Sequence, residues 1–425
     1  MRSTRRPKSY LIRSRFTLIF IFITAVLLVS SASAMLAITN NDRIACGVRF
    51  GDTPLNAMSE QETAHLLEDY AQKQLAHGSL ILNYKDKTWK ILPQDINLQM
   101  DAKSTAARAF AIGHQGSALQ KLREQLVCMI RGQQIELAVS YDETLLQKKL
   151  DAIAQEINTA PVSATCTIDN KGQVFRKPAV SGQKLDTETV AQEAAEPLLH
   201  LDLPRHIALQ PEEQAAAVTD NDLSAVDSIL SSFSTHFNSG NASRSTNIYI
   251  AANALNNVLV KSDANFSFND TVGHRVASSG YRSAAVILNG KVAQDIGGGV
   301  CQVSSTLYNA VLLANLQSTV RTSHFYPSSY VRAGLDATVA DGQLDFQFHN
   351  NLPHNVYILS SVYGNTLTIY VLGTKADLGG MNITLETCTE RSGPGPVVSA
   401  YRIYRQNGQE ITREFLHTDH YDVPT

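Results

Sequence analysis

The sequence predicts an α+β, membrane-anchored multidomain exoprotein: two small α+β N-terminal domains, then a C-terminal mixed α/β domain with a β-hairpin tail. Three observations predict it. A basic N-terminus runs into an uninterrupted apolar stretch. Strand-like alternation and helix-like 3.6-residue periodicity then trade places repeatedly from residue 43 to 373. Finally, a glycine- and proline-rich break at Gly393 to Pro396 precedes a last pair of alternating runs around Asn407-Gly408. The boundaries that follow are 1–39 for a cytoplasmic basic segment and signal anchor, 43–160 and 161–218 for the two small domains, 223–373 for the third, and 380–425 for the tail.

At the N-terminus, Arg2, Arg5, Arg6, Lys8, Arg13 and Arg15 precede the apolar run Phe16 to Ile38. A helix needs about 20 apolar residues to cross a bilayer, and the basic flank stays in the cytoplasm. The expectation is a single-pass protein of the cell membrane with its domains outside. The alternative is secretion after signal-peptide cleavage, because Phe16 to Val29 is short and Ala32-Ser33-Ala34 resembles a peptidase site. The remainder of the 425-residue chain exceeds the roughly 250–300 residues that one hydrophobic core supports.

Between 43 and 160, Ile44 to Phe50 reads as a strand. Ser59 to Leu75 reads as a helix with Ser59 as cap and Glu62 at the capping-box position. Leu80 to Leu92 reads as a hairpin, Ala102 to Leu126 as two short helices, Ile135 to Tyr141 as a strand and Glu143 to Ile157 as an amphipathic helix. His65, His77 and His114 stand apart from one another and suggest no site. After Pro161, a hairpin turns at Asn170-Lys171-Gly172, Thr187 to Leu199 is helical and Arg205 to Gln210 extended; the polar stretch Pro211 to Asp222 reads as a linker. In the third domain, Thr246 to Val260 reads as a helix. Asn289-Gly290 and Gly364-Asn365 mark hairpin turns, and Val320 to Ser323, Leu344 to His349, Val356 to Val362 and Thr366 to Leu372 alternate as strands.

A net charge of −3 with no basic face gives no sign of nucleic-acid binding. The five cysteines, Cys46, Cys128, Cys166, Cys301 and Cys388, are widely spaced and contain no C-x-x-C pair. A zinc site is not expected, nor a disulfide-built fold. No Gly-Lys-Ser/Thr follows the glycines at 297–299, so no phosphate loop is expected. No metal or cofactor is predicted, and the odd cysteine count leaves one thiol unpaired within the chain.

The densest motif is Gly297-Gly298-Gly299-Val300-Cys301-Gln302-Val303-Ser304-Ser305-Thr306-Leu307-Tyr308-Asn309-Ala310. Glycines permit a sharp turn and close backbone approach. The helix that follows offers unpaired N–H groups and a positive dipole end, both of which favour a thiolate. Two readings fit these residues: a nucleophilic cysteine, and a buried, inert one, since free cysteine is often buried. Ser304 and Ser305 lack the G-x-S-x-G frame of a serine nucleophile.

Phe266-Ser267-Phe268-Asn269, the glycine–cysteine block, Thr306-Leu307-Tyr308-Asn309-Ala310 and Asp336-Ala337-Thr338-Val339 occur in the order found in the VanW family, which residues 223–373 resemble. Ser181-Gly182-Gln183-Lys184-Leu185-Asp186 and Pro211-Glu212 resemble the peptidoglycan-binding domain that often precedes VanW domains, and 43–160 looks like a diverged neighbour of it. One departure is Lys261-Ser262-Asp263-Ala264, which lacks the Pro-Gly usual before the Phe-Ser-Phe-Asn block. Some VanW domains resemble L,D-transpeptidases in activity. The resemblance therefore implies a cell-wall protein acting on peptidoglycan stem peptides through a thioester, with Cys301 as nucleophile and His324 as base.

That chemistry needs an oxyanion site and a group to orient the base. Gly298, Gly299, Val300 and the Cys301 N–H are candidates for the first. Asp336 is the first choice for the second, with Asp345 behind it. Gln302 is a candidate substrate donor; Ser304 and Tyr308 are candidates to line a pocket, with core packing equally open for Tyr308. His349 and His354 read as solvated. A non-catalytic wall-binding protein and a scaffold for other cell-wall enzymes, with or without a link to glycopeptide resistance, are the competing readings.

Overall fold

The computed structural model describes residues 9–39, 41–288, 291–392 and 395–423. It divides into two compact units that do not follow chain order: residues 1–159 with 183–213, and 160–182 with 214–425.

In the first unit the helix Ser9–Thr39 contains the apolar run. Among the described residues no helix is long and apolar enough to cross a membrane. On this helix the described side chains are limited to 17–31 and 33, and Arg2, Arg5, Arg6 and Lys8 lie outside the described residues. The expected anchor thus rests on the sequence. The helix Glu60–His77 starts where expected: Glu62 N–H donates to Ser59 Oγ at 3.1 Å and Ser59 N–H donates to the Glu62 carboxylate at 2.7 Å. This reciprocal cap satisfies two backbone donors at the helix start. The hairpin Leu80–Tyr84 with Lys87–Ile91 is joined in parallel by Arg205–Ala208. That pairing draws 183–213 into the same core as the helix Glu143–Ile157. The helix faces the core with Leu146, Leu150, Ile153, Ala154 and Ile157, one stripe at 3.6-residue spacing. The expected pair of short helices is present as Ala102–Ala111 and Ala118–Arg131.

The second unit is built on an antiparallel sheet in the order Ser228–His236, Thr366–Gly373, Val356–Tyr363, Val258–Val260. The helices Ala242–Leu255 and Val300–Leu313 share its core, with Ile248, Ala251, Val303, Leu307, Val311, Ile369 and Val371 buried together. A smaller sheet places Gln347–His349 between Asn265–Ser267 and Gln317–Val320. The hairpin Thr165–Ile168 with Val174–Lys177 belongs to this unit, where Cys166 is buried with Leu223, Val226, Tyr357 and Leu372.

Three expectations are corrected. The helix predicted over Thr246 to Val260 ends at Leu255, and Val258–Val260 is a strand; Asn257 has φ +65°, a left-handed conformation that stops the helix. Pro211 to Asp222 is not a loose linker over its second half. Asp220 accepts the Ala179 N–H, Asp222 accepts the Thr219 N–H, and Val218 O accepts the Ala164 N–H. Acidic residues that look like solvated chain instead satisfy backbone donors. The tail is a three-stranded meander, Asn382–Ser392, Gly395–Gln406 and Gln409–His420. Its Ala400 is buried in the core of the second unit and its Leu385 and Leu416 pack against that core, so it is part of this domain. The Asn289-Gly290 turn lies outside the described residues, but its flanking strands pair from Ser283 with Ile296 to Leu288 with Lys291.

Candidate functional site

The glycine turn explains how Cys301 is presented. Gly297 and Gly299 have φ of +89° and +109°, a region that residues with a side chain rarely occupy. A Cβ on Gly298 would lie 2.7 Å from Ala285 O, so the backbone there passes directly against the neighbouring strand. The Asn247 side chain fastens the turn by donating to Gly298 O at 2.9 Å and to Arg282 O at 2.8 Å. The helix Val300–Leu313 starts immediately after it, placing half-buried Cys301 in the first turn.

Cys301, His324 and Asp336 meet. The Cys301 thiol donates to Val339 O at 3.4 Å, and it lies near enough to the His324 imidazole for each to shift the other's ionisation. His324 Nδ1 is 2.5 Å from Asp336 Oδ2, which also accepts the His324 backbone N–H at 2.7 Å. With Nδ1 held by the carboxylate, Nε2 is the nitrogen left for sulfur. Tyr330 Oη stands 3.4 Å from Nε2.

Burial disfavours a charged thiol, but the His324 hydrogen bond and charge outweigh it, with help from Val339 O and Arg275, and the Cys301 pKa falls below its ordinary value. Burial likewise opposes an imidazolium. Asp336 and the Cys301 sulfur overcome it and raise His324 to about 9. Asp336 is pulled down, against its own burial, by His324, Tyr421 and Arg321. The three groups favour a thiolate–imidazolium pair backed by a carboxylate.

Asp336 is fixed from the meander. Tyr421 Oη donates to its Oδ1 at 2.5 Å and accepts the Gly334 N–H at 2.7 Å. Arg321 bridges Asp336 at 3.1 Å and Asp419 at 2.5 Å, and all three side chains are no more than 8% exposed. The segment carrying Asp336 is clipped to the cysteine helix. Ser304 Oγ donates to Ala337 O at 2.6 Å, Asn309 Nδ2 donates to Leu335 O at 2.7 Å, and Ser305 Oγ accepts the Ala337 N–H at 2.9 Å.

Several candidates from the sequence therefore face inward. Ser304 is buried and serves as a clip. Tyr308 is buried against Phe346 and beneath the Arg321 guanidinium, 5.5 Å from its ring centre. Gln302 is buried; its Nε2 donates to Thr235 Oγ1 and His236 O, both at 2.9 Å, and its Oε1 accepts from Arg244. No atom of that amide is left for a substrate. The Val300 N–H donates to Gly297 O, so Val300 is removed from the oxyanion donors. Among the described residues no acceptor takes the N–H of Gly298, Gly299 or Cys301, and these are the candidate donors that remain. Asp345 is elsewhere: it accepts from Ser267 Oγ and the Asn269 N–H, holding the Phe-Ser-Phe-Asn block in place. His349 and His354 face Asp263 and Asp377.

Sequence reasoning missed Arg244, Arg321, Tyr330, Asp419 and Tyr421. None carries a local pattern, and Arg244, Asp419 and Tyr421 also lie far along the chain from Cys301. Arg275, also missed, pairs with Asp341 at 2.5 Å.

Residues 243–372 match the family described as "VanW like protein", and residues 89–200 match the "Putative peptidoglycan binding domain" family. The chain is 45% identical over 140 residues to the uncharacterized protein YoaR of Bacillus subtilis, covering 33% of this chain and 46% of that one. It is 33% identical over 110 residues to the vancomycin B-type resistance protein VanW of Enterococcus faecalis, covering 25% of this chain and 40% of that one. The chain spans less than half the length of either relative. No solved structure matches it significantly. The two family matches make this a cell-wall-associated protein.

Proposed function

Starting from a chain that carries a VanW domain behind a peptidoglycan-binding domain, we propose that the C-terminal unit is an L,D-transpeptidase-like cysteine acyltransferase acting on stem peptides. The observation that carries this reading is the convergence of Cys301, His324 and Asp336, with His324 Nδ1 2.5 Å from the Asp336 carboxylate and Cys301 close enough to the imidazole for the two to shift each other's ionisation. In the first half-reaction the Cys301 thiolate attacks the carbonyl that precedes a terminal D-alanine. N–H groups among Gly298, Gly299 and Cys301 receive the oxyanion. His324 gives its Nε2 proton to the departing amine, which leaves as D-alanine, and a thioester remains. In the second half-reaction the amine of an acceptor peptide attacks the thioester, His324 takes the amine proton, and the new amide releases the thiol. The Tyr330 hydroxyl, beside Nε2, is placed to keep the ring in line.

The test is the full-length chain and its Cys301→Ala variant, each incubated with muropeptides. Release of D-alanine and formation of cross-linked dimers by the parent, lost in the variant, is expected. Wild-type rates in the variant would sink the reading. A second reading rests on the peptidoglycan-binding match at 89–200: a wall-binding protein whose retention on sacculi is indifferent to Cys301. Membrane anchoring through Ser9–Thr39 belongs to the same proposal. It is tested by fractionation, where a soluble extracellular product would support the cleaved-signal alternative.

A further inference from the structure

Arg244 differs from the well-buried arginines of its unit. Arg275, Arg321 and Arg402 each pair with a carboxylate. Among the described residues Arg244 has no carboxylate within ion-pair distance, and its guanidinium makes a single hydrogen bond, Nη2 to Gln302 Oε1 at 2.8 Å. It is nevertheless half-buried, and burial pushes its pKa down. None of its nitrogens is both buried and unpartnered, so the remaining N–H donors are open to a ligand at this position.

Its position is set by the cysteine turn. A Cβ on Gly299 would come within 2.9 Å of Arg244 Cγ, so the arginine stem lies against the turn because Gly299 has no side chain. The guanidinium lies close enough to Cys301 for a thiolate there to act on it. Cys301 already has His324 as its counterion. What Arg244 still offers is a planar set of donors matched to a carboxylate.

We propose that Arg244 binds the free carboxylate of the residue that follows the scissile bond, and so restricts the acyl donor to peptides cleaved at their last residue. The inference rests on the acyl-transfer reading, and it names the donor class. An internal amide in the same place presents no charge and leaves Arg244 unpaired. The Gln302 bond gives the guanidinium a fixed orientation, because that amide is itself held by Thr235 and His236.

The experiment compares a stem tetrapeptide ending in D-alanine with its C-terminal carboxamide, using the full-length chain and Arg244→Gln. The expected result is a loss of about 10- to 100-fold in kcat/KM for the free acid, as for a charge-assisted hydrogen bond. The carboxamide should change less than about twofold on that basis. An equal loss on both donors, with a raised pH onset of Cys301 alkylation, would make Arg244 a counterion of the thiolate and overturn the inference. Binding of both peptides to Cys301→Ala, with and without Arg244→Gln, separates this from the parent reading. Preference for the acid that vanishes with Arg244, in a protein without turnover, keeps the inference and removes the transferase. Equal binding of acid and carboxamide removes the inference whatever the turnover.

Discussion

Replacing Asp336 with Asn tests the electrostatics of the site directly. His324 is raised from about 6.5 to about 9. That rise is worth roughly 3 kcal/mol in favour of the imidazolium. Asp336 and the Cys301 sulfur supply it together. The Asp336 hydrogen bond is the first of these contributions, so removing the carboxylate charge should lower the population of the ion pair by roughly tenfold. The sign is fixed by linkage. A histidine with a raised folded pKa contributes stability that is complete below about pH 6.5 and lost as pH rises through about 9. The variant should lose the part of that pH dependence that Asp336 supplies. The assay is the rate of Cys301 alkylation by iodoacetamide from about pH 5 to about pH 10, which follows the thiolate. It is read peptide by peptide because Cys46 and Cys388 are exposed thiols as well. Wild-type reactivity should begin below the usual thiol range and hold a plateau up to about pH 9. In Asp336→Asn the onset should move up by about one unit. Arg321 keeps Asp419 as its partner, and far-ultraviolet circular dichroism checks that the fold persists. An unchanged onset in a folded variant would refute the idea that this carboxylate sets the ionisation of the pair.

Two further outcomes follow from the same packing. Tyr421→Phe removes the hydroxyl between Asp336 Oδ1 and the Gly334 N–H. It should lower stability by about 1–3 kcal/mol, read as a fall in thermal midpoint, together with a smaller upward shift in Cys301 alkylation; an unaltered midpoint would show that the meander does not support the site. Gly298→Ala places a Cβ 2.7 Å from Ala285 O, a backbone atom. Overpacking against a strand costs about 1–3 kcal/mol or more. Reduced soluble yield or an early melting transition is expected, and a wild-type melting profile would contradict it.

Much of the local structure was legible because it depends on short-range rules. Ser59 and Glu62 form the cap that their three-residue spacing suggests. The alternation of Val356–Tyr363 and Thr366–Gly373 around Gly364-Asn365 became a hairpin. The first strand of the tail, Asn382–Ser392, lies within 380–425 but ahead of the glycine- and proline-rich break, and only the two alternating runs after that break read as a hairpin. The inward turn of Gln302, Ser304 and Tyr308 was hidden for a different reason. Every residue from Gln302 to Leu312 on that helix is buried. A helix surrounded by protein has no polar stripe to mark the side that meets a substrate.

The sequence by itself determined the turn that presents Cys301. Three glycines followed by an apolar helix constrain a backbone locally, through allowed φ and ψ and through unpaired N–H groups at a helix start. Its motif order also indicated His324 and offered Asp336 beside Asp345. Only the tertiary structure decided between those carboxylates, because the choice depends on which one the clips from Ser304, Ser305 and Asn309 bring against the imidazole. It alone supplied Tyr421, which is 85 residues from Asp336, and Arg244, which precedes the cysteine by more than a helix and a hairpin. Contacts at such separations leave no periodicity in the chain. They arise from the shared core that folds the sheet, the cysteine helix and the meander together.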